Sequence, residues 1–526
     1  MLDVPFPSRF ALTLSIALTC AACKDDPGPQ PRRADQADLD ALVVATDQGR
    51  VRGAVDHGTH VFRGLPYAAA PIGELRFRAP LEPAAWEGIR DASKFGSRCP
   101  QLGAFNAAIG DEDCLNLNLW RPATPASEPR PVLVFIHGGA NVLGSGSDTH
   151  VDGRRLAQSR DLIVVTFNYR LGLLGFLALP ELTAESGTSG NWAHLDQIAA
   201  LKWVARNIAA FGGDPNRVTI VGESAGALGV CVLLASPLAA GLFHGAVMQS
   251  GGCDVAPLEQ RERSGARLAE ISGCGPANDI LECLRGLPIS NLLALSTPPT
   301  EISNWLLPTA GAVDGVVLPS SPWASFAAGT HNVVPTLVGS NADETALFIA
   351  ESYRDCAAYE GALTKAFGDR ADEVLGEYPC SNYPDGQQAY VAATTDAIFS
   401  CQARRILRSL APAAAASSTP LFRYWYAHAR ADPAIRDLGA FHGSEVQVLF
   451  GNLSRIGFKP PARERELSEA MQLSWAALAA AGSPVHAGTP GWEPYEVARD
   501  NAVIFASPIT AAEGVGTSHC EFWDAL

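Results

Sequence analysis

Short, continuous apolar runs alternate with longer amphipathic stretches along most of the chain. Residues 198–211 (IAALKWVARNIAAF), for example, carry their apolar side chains at helical spacing. Strands that are apolar on both faces and separated by helices are typical of a mostly parallel sheet with helices on both faces. We therefore predict an α/β fold whose chemistry lies at the carboxyl ends of the strands. The predicted strands are residues 131–139 (PVLVFIHGG), 162–170 (LIVVTFNYR), 218–222 (VTIVG), 245–251 (GAVMQSG) and 334–340 (VPTLVGS).

The first 23 residues follow a different pattern. Arg9 precedes an apolar core at residues 10–18, and small residues come shortly after it. This core is too short to span a bilayer as a mature helix, so we predict a cleaved export signal over residues 1–23. A buried N-terminal helix is the weaker alternative, because the polar, proline-rich residues 24–41 could not continue it.

The signal ends in CAAC, which resembles the box of bacterial lipoproteins, with Cys23 as the residue that would carry the lipid. Cys20 stands where such boxes usually have leucine, so a plain signal peptide is an equal alternative. Beyond the signal we predict a polar linker at residues 24–41. A single structured domain is predicted at residues 42–526, since no later proline- and serine-rich stretch is long enough to mark a clear second boundary.

Composition narrows the class of protein. The chain has 526 residues, of which 47% are hydrophobic and 18% charged, which is enough apolar content for a large enzyme domain. Its net charge of −16, with no basic stripe, would repel a polyanion, so we predict no nucleic-acid partner.

Twelve cysteines in a chain with an export signal indicate disulfides rather than a metal site. Setting aside the two in the signal leaves ten, and none of these shows the paired C-x-x-C spacing of a zinc site, so we predict no metal. Cys99 and Cys114 bracket a short loop, and so do Cys274 and Cys283. Spacing alone does not fix the pairing.

The stretch 218–229, VTIVGESAGALG, places a serine where a β-branched run gives way to an alanine-rich one. A strand that passes into a helix with almost no loop strains the residue at the corner, and Gly222 and Gly226 relieve the crowding around Ser224. The pattern predicts a nucleophile elbow, G-x-S-x-G, with the serine hydroxyl clear of the sheet. The alternative is a glycine-punctuated turn in which Ser224 is incidental.

A serine hydroxyl is a poor nucleophile near neutral pH, so Ser224 requires a base that a carboxylate orients. In proteins with such an elbow, the acid and then the histidine follow the serine along the chain. Asp343 and Glu344 come directly after the predicted strand 334–340, and the residues alone do not choose between them. Both could instead be carboxylates favoured by the dipole at a helix N-terminus.

The base must come from a short set of histidines. His442 lies in a glycine-flanked loop before a helical run, and loops on a rigid scaffold are where catalytic residues are expected. His428 sits in an aromatic, strand-like stretch, and the last two lie in polar stretches near the end of the chain. The histidines that follow the strand are His428, His442, His486 and His519.

A tetrahedral intermediate also needs backbone N–H donors for its oxyanion. The glycine-rich part of FIHGGANVLGSG, residues 135–146, follows a predicted strand and can bring bare backbone close to a carbonyl oxygen. The N–H of Ala225, directly after the serine, would be a further donor. His137 stands at the strand end before Gly138, so we assign it a structural role rather than that of the base.

Further stretches form an ordered series with these motifs: FRGLPYAAAPIGELRFRAP, EDCLNLNLW, HGGA, NYRLGLLGFL, LDQIAALKWVARNIAAFGGDPNRVTIVGESAGA, NADETALF, HGSEV and EFW. The series resembles the type B carboxylesterases, the carboxylesterase and cholinesterase family of α/β-hydrolases. The resemblance covers nearly all of the chain from Leu42 to Leu526. It implies the α/β-hydrolase fold, hydrolysis of carboxylic esters by a serine mechanism, and no cofactor.

The resemblance also implies a role for each candidate residue. Glu344, rather than Asp343, would orient the base, and His442 would be that base. Ser250, in MQSGG, would support the triad carboxylate from behind, with Glu223 as a second supporting residue. The oxyanion donors would be the N–H groups of Gly139, Ala140 and Ala225.

By the same resemblance, Arg76 would pair with Glu112. The implied disulfides are Cys99–Cys114, Cys274–Cys283 and Cys401–Cys520. The resemblance gives no partners for the four other cysteines outside the signal, although Cys356 could pair with Cys380. These four are Cys231, Cys253, Cys356 and Cys380.

The chain departs from the family where a substrate would bind. The loop between Cys99 and Cys114 is shorter than in the cholinesterases and has no tryptophan to pack on a quaternary ammonium, which disfavours choline esters. Asn141 stands where the family often has an aromatic residue, and would widen the pocket, contact a polar substrate, or do neither. Trp305 and Leu306 would line the acyl side by resemblance, or belong to the ordinary core.

The sequence therefore predicts a serine carboxylesterase acting on small-molecule esters, secreted, periplasmic or attached to the cell envelope through a lipid. Two alternatives remain. One is a lipase or an esterase specialised for one complex metabolite. The other is a non-catalytic surface binding or adhesion relative, which the presence of a competent residue at every triad position disfavours.

Overall fold

The computed structural model describes residues 42–296, 310–349, 353–454 and 457–526. The predicted signal and linker, residues 1–41 with Cys23, lie outside the described residues, and so do the pocket residues Trp305 and Leu306. Within the described residues, the chain folds around one large sheet.

The main sheet has eleven strands, which in chain order are β1 (Ala54–Asp56), β2 (Thr59–Pro66), β3 (Asn116–Pro122), β4 (Arg130–Ile136), β5 (Ile163–Phe167), β6 (Gly213–Glu223), β7 (Gly245–Gln249), β8 (Thr336–Asn341), β9 (Leu421–Tyr426), β10 (Ala502–Phe505) and β11 (Thr510–Ala512). Across the sheet they lie in the order β11-β10-β9-β8-β7-β6-β4-β5-β3-β2-β1. The strands from β10 to β5 in that order are parallel, and the outer ones are antiparallel. The predicted, mostly parallel sheet is confirmed, and the five predicted strands are β4 to β8.

Helices fill most of the connections between these strands. The predicted helix at residues 198–211 is part of α4 and the 3-10 turn Ile208–Phe211 that follows it. Shorter strands outside the main sheet are Val43–Ala45, Arg50–Arg52, Ile89–Asp91, Gln101–Leu102, Ala108–Ile109, Ala256–Pro257 and Ala312–Val313. The α-helices are α1 (Arg154–Arg160), α2 (Gly172–Phe176), α3 (Pro180–Ser186), α4 (Trp192–Asn207), α5 (Ala225–Ala235), α6 (Leu258–Ile271), α7 (Ile280–Gly286), α8 (Ile289–Leu295), α9 (Pro322–Ala328), α10 (Cys356–Phe367), α11 (Ala371–Glu377), α12 (Gly386–Thr395), α13 (Cys401–Ser417), α14 (Ser444–Phe450), α15 (Ala462–Ala481) and α16 (Thr517–Ala525).

Successive side chains of β4 point to opposite faces of the sheet and enter two separate cores. Val132, Val134 and Ile136 pack in a core with residues of α4, α5 and α13, whereas Leu133 and Phe135 pack in a core with residues of α1, α14 and α15. All five side chains are almost fully buried, which is why the strand reads as a continuous apolar run. Helices therefore cover both faces of the sheet.

Five disulfides cross-link the described residues: Cys99–Cys114, Cys231–Cys253, Cys274–Cys283, Cys356–Cys380 and Cys401–Cys520. They include the three pairs implied by the resemblance. Arg76 and Glu112 form a buried, bidentate ion pair with N–O distances of 2.6 and 2.7 Å. None of the described helices is long and apolar enough to cross a membrane. The disulfides are consistent with an exported protein.

Candidate active site

Ser224 lies at the sharp turn between β6 and α5, in a backbone conformation with φ 58° and ψ −123°. This region is sparsely populated for a residue with a side chain and costs about 1–3 kcal/mol, so the surroundings must impose it. The Ser224 N–H donates to the carbonyl of Gln249 at 2.8 Å. A Cβ on Gly222 would lie 2.2 Å from the carbonyl oxygen of Gly226. The two glycines thus face each other across the turn, as the elbow requires.

A buried carboxylate orients the imidazole of His442. Nδ1 of His442 lies 2.7 Å from Oε2 of Glu344, and the His442 N–H donates to the Glu344 carbonyl at 3.2 Å. Glu344 is fully buried, and its Oε1 accepts from the N–H of Asn341 at 2.7 Å. Asp343 accepts instead from the N–H of Ala440 at 2.8 Å, within the loop that carries the histidine. Of the two candidate carboxylates, Glu344 is the one that contacts the imidazole.

The second nitrogen of this imidazole, Nε2, lies 3.2 Å from Oε1 of Glu223, the residue before the serine. Nε2 is buried and has no hydrogen-bond partner among the described residues. Burial alone would lower the pKa of His442, but the facing carboxylates of Glu223 and Glu344 outweigh it and raise that pKa. Burial also raises the pKa of Glu223 itself. The ring therefore sits between two carboxylates.

The glycine-rich loop after β4 approaches the serine closely. Gly139, Ala140 and Asn141 all have positive φ, at 104°, 53° and 59°. A Cβ on Gly138 would lie 2.9 Å from the Cβ of Ser224, so only glycine allows the loop this near. On the other side of the serine, α5 begins at Ala225, and the start of a helix carries the positive end of the helix dipole. This backbone can stabilise a negatively charged oxygen.

The other candidate histidines have partners elsewhere. Nε2 of His428 lies 3.8 Å from Oε2 of Glu464, and Nδ1 of His519 lies 2.7 Å from Oε1 of Glu377. Nδ1 of His486 lies 3.0 Å from the carbonyl of the next residue.

His137 packs within the glycine-rich loop. Its ring stacks on Tyr169 with centroids 4.4 Å apart, and its Nδ1 lies 2.9 Å from the Gly138 carbonyl. Burial lowers the pKa of His137 to about 4, so this ring stays neutral near pH 7. These contacts fit the structural role assigned to it.

Two expected supporting residues lie differently from the expectation. The Ser250 N–H donates to the Gly339 carbonyl at 2.9 Å, but its buried hydroxyl makes no hydrogen bond to a described residue. It therefore does not hold the Glu344 carboxylate by a hydrogen bond, and the N–H of Asn341 does so instead. Glu223 faces Nε2 of the imidazole rather than the back of the carboxylate.

Glu445 is a buried residue of the site that the sequence did not predict. It accepts from the amides of Gln249, at 3.0 Å, and Asn341. Asn341 also donates to the carbonyl of Phe441 at 2.9 Å, directly before the catalytic candidate His442. The network thus ties the histidine loop to the ends of β7 and β8. Its only sequence signal is the position of Glu445 three residues after the histidine in HGSEV.

Aromatic rings enclose the imidazole. Phe348 and Phe399 lie with centroids 5.1 and 4.8 Å from the His442 ring. Phe399 projects from a π-helical turn, residues 396–400, a deviation often found at functional sites. Asn141, the pocket candidate within the described residues, is buried, and its Oδ1 lies 3.3 Å from the Tyr169 hydroxyl.

A serine at a strand–helix corner defines an α/β-hydrolase when a histidine from a late loop lies beside it at the carboxyl ends of parallel strands. Here that histidine contacts Glu223, the residue before Ser224. Comparison with known sequences identifies the family within this fold. The sequence model described as "Carboxylesterase family" matches residues 40–523, and the chain belongs to that family.

Individual relatives agree with this placement. The fumonisin B1 esterase of Sphingopyxis macrogoltabida is 36% identical over 92% of this chain and 90% of its own length. The para-nitrobenzyl esterase of Bacillus subtilis (strain 168) is 35% identical over 89% of this chain and 95% of its own length. A solved PNB esterase structure superposes with a TM-score of 0.78 at 33% identity, covering 92% of this chain and all of the other. The protein is a carboxylic ester hydrolase whose substrates are small-molecule esters.

Proposed function

We propose that Ser224, His442 and Glu344 hydrolyse carboxylic esters through an acyl-enzyme on Ser224. The observation that carries the proposal is the 2.7 Å contact between Nδ1 of His442 and Glu344. Nε2, on the other side of the ring, faces Glu223, the residue next to Ser224. A fully buried carboxylate on Nδ1 fixes the tautomer in which Nε2 can accept a proton.

In this mechanism the hydroxyl oxygen of Ser224 attacks the ester carbonyl while Nε2 of His442 takes its proton. The resulting imidazolium is stabilised by Glu344 and gives the proton to the departing alcohol. Water then attacks the acyl-enzyme, with His442 again as the base, and the carboxylic acid leaves. The cycle returns all three side chains to their starting state.

The N–H groups of Gly139, Ala140 and Ala225 would bind the oxyanion of both tetrahedral intermediates. Their support is the closeness of the glycine loop to the Cβ of Ser224 and the helix start at Ala225. In comparable sites, loss of one such donor lowers kcat by about 10²- to 10³-fold.

We also propose export directed by residues 1–23, with residues 42–526 as one catalytic domain. Residues 1–23 are either removed as a plain signal peptide or cleaved before Cys23, which then carries a lipid. The five disulfides support an oxidising compartment.

The test is hydrolysis of p-nitrophenyl esters from acetate to palmitate by the wild type and Ser224→Ala in parallel. We expect serine-dependent hydrolysis with a maximum at short acyl chains, and an organophosphate adduct on the Ser224 peptide by mass spectrometry. Activity of folded Ser224→Ala near that of the wild type would remove Ser224 from the mechanism. A maximum at palmitate would instead favour a lipase.

A further inference from the structure

The loop proposed to bind the oxyanion lies outside the helices and strands. After β4 ends at Ile136, Gly139, Ala140 and Asn141 all have positive φ. Two of these are not glycine, and such residues adopt this conformation only when their surroundings impose it. In the middle of the loop, the N–H of Gly172 at the start of α2 donates to the Asn141 carbonyl at 2.7 Å. Side chains hold the loop at its entrance and its exit.

Tyr169 holds the entrance of the loop. Its hydroxyl donates to the carbonyl of His137 at 2.7 Å and lies 3.3 Å from Oδ1 of Asn141. Its ring also stacks on the ring of His137. These contacts reach the first half of the loop.

Gln101 holds the exit with both ends of its amide. Its Oε1 accepts from the N–H of Gly144 at 2.9 Å, and its Nε2 donates to the carbonyl of Gly144, also at 2.9 Å. Upstream, the Gly139 carbonyl accepts from the N–H groups of Val142 and Leu143 at 3.0 Å each. These two bonds close a turn from Gly139 to Leu143, directly before Gly144. The exit that Gln101 holds is therefore continuous with the turn that carries the proposed donors.

Gln101 also connects the loop to the Cys99–Cys114 disulfide. Nε2 of Gln101 also donates to the carbonyl of Cys99 at 3.0 Å. The side-chain amide of Asn168 makes a second link, from Cys114 to the loop. Its Nδ2 donates to the Cys114 carbonyl at 3.2 Å and its Oδ1 accepts from the N–H of Gly146 at 2.9 Å. Both amides run from the disulfide-bonded backbone to the exit of the loop.

We propose that Gln101 is a positioning residue for the oxyanion hole and that the Cys99–Cys114 disulfide fixes the backbone from which it acts. The proposal rests on the proposed roles of Ser224 and the loop donors. Gln101 is only 2% exposed, so water does not replace its hydrogen bonds. The negative charge on the oxyanion develops in the transition state and is absent from the bound substrate. A displaced loop therefore stabilises the transition state less and lowers kcat, while substrate binding and KM stay the same.

The test compares Gln101→Met, which keeps the length of the side chain but removes its amide, with a matched control. The control is Asn116→Leu, since the buried Asn116 amide donates to the Cys114 and Ser97 carbonyls at 3.0 Å each and makes no hydrogen bond to the loop. For p-nitrophenyl acetate we expect Gln101→Met to lower kcat by about 10- to 100-fold, with KM changed by less than about threefold.

A transition-state analogue gives a second readout. A trifluoromethyl ketone forms a tetrahedral adduct with Ser224 that carries an oxyanion, so its affinity should fall in Gln101→Met by the same factor as kcat. The control should keep both quantities within about threefold of the wild type. An unchanged kcat in folded Gln101→Met, a rise in KM alone, or equal losses in the control would overturn the proposal.

Two further variants separate the possible failures. If Ser224→Ala retained full activity, the proposed site itself would fail, whereas an inactive Ser224→Ala beside a fully active Gln101→Met rejects only the positioning role. Should Gln101→Met not fold by circular dichroism, Gln101→Asn, whose amide is one methylene too short, is measured with the same expectations. The double variant C99A/C114A should lower kcat by at least about threefold at constant KM. An unchanged kcat there would remove the disulfide from the proposal.

Discussion

Two histidine–glutamate pairs in this protein share one geometry and differ in their surroundings. Nδ1 of His442 and Nδ1 of His519 each lie 2.7 Å from a glutamate oxygen, of Glu344 and Glu377 respectively. The side chains of the first pair are 8% and 0% exposed, and those of the second are 34% and 28% exposed. Water competes for the exposed pair, whereas the buried pair has no such alternative partner. The distance alone therefore does not identify a catalytic pair.

The two imidazoles differ in the other residues that contact them. Around His442 lie a second carboxylate at Nε2 and two phenylalanine rings, beside the serine elbow. His519 stacks on Tyr378, with centroids 4.6 Å apart, and its glutamate ends α11. The His519 pair joins the C-terminal helix α16 to α11, close to the disulfide at Cys520. In the proposed mechanism the first pair orients a base, whereas the second pair joins two helices.

The largest expected difference between the pairs comes from removing each imidazole. His442→Ala should lower kcat/KM for p-nitrophenyl acetate by about 10⁴-fold or more, because it removes the proposed base that takes the serine proton. His519→Ala should stay within about twofold of the wild type, since it removes a partly exposed contact between α16 and α11. Comparable losses in the two folded variants would show that the comparison is wrong.

A smaller effect is expected from neutralising each carboxylate. Glu344→Gln keeps the shape of the side chain but no longer selects the tautomer or stabilises the imidazolium, so kcat should fall by about 10³- to 10⁴-fold. Glu377→Gln should leave kcat unchanged. Steady-state kinetics with circular dichroism as a folding check measure both, and a Glu344→Gln enzyme with more than a tenth of the wild-type kcat would contradict the assigned role.

The backbone of the site could be predicted from the sequence because its signals are local. A β-branched run, two glycines around Ser224 and a small-residue helix predict the elbow within a dozen residues. Strand ends likewise predict where Glu344 and the glycine loop lie. The resemblance then chose Glu344 over Asp343, which strand ends alone could not do.

The side-chain contacts could not be predicted in the same way, because their partners are distant in the chain. Asn341 reaches the Phe441 carbonyl, and Phe399 reaches the His442 ring from a π-helical turn that no residue pattern marks. The position of Glu223 against Nε2 depends on how the histidine loop lies over the elbow. Such contacts follow from the register of separate elements, and the sequence specifies them only through the whole fold.

The smallest expected effect tests Glu223, the second carboxylate that contacts the His442 imidazole. Glu223 raises the pKa of His442, and the enzyme needs the neutral imidazole, so activity is lost as the pH falls through that pKa. Glu223→Gln removes one of the charges that raise the pKa of His442 and leaves burial, which lowers it, against the charges of Glu344 and Glu445. The acid limb of the kcat/KM profile should therefore move to lower pH by about one unit, the effect of one charge at this distance. His519→Ala, as the control, should leave the limb in place. An unmoved limb in Glu223→Gln would mean that Glu223 is protonated in the working range, and that only Glu344 distinguishes the buried pair from the exposed one.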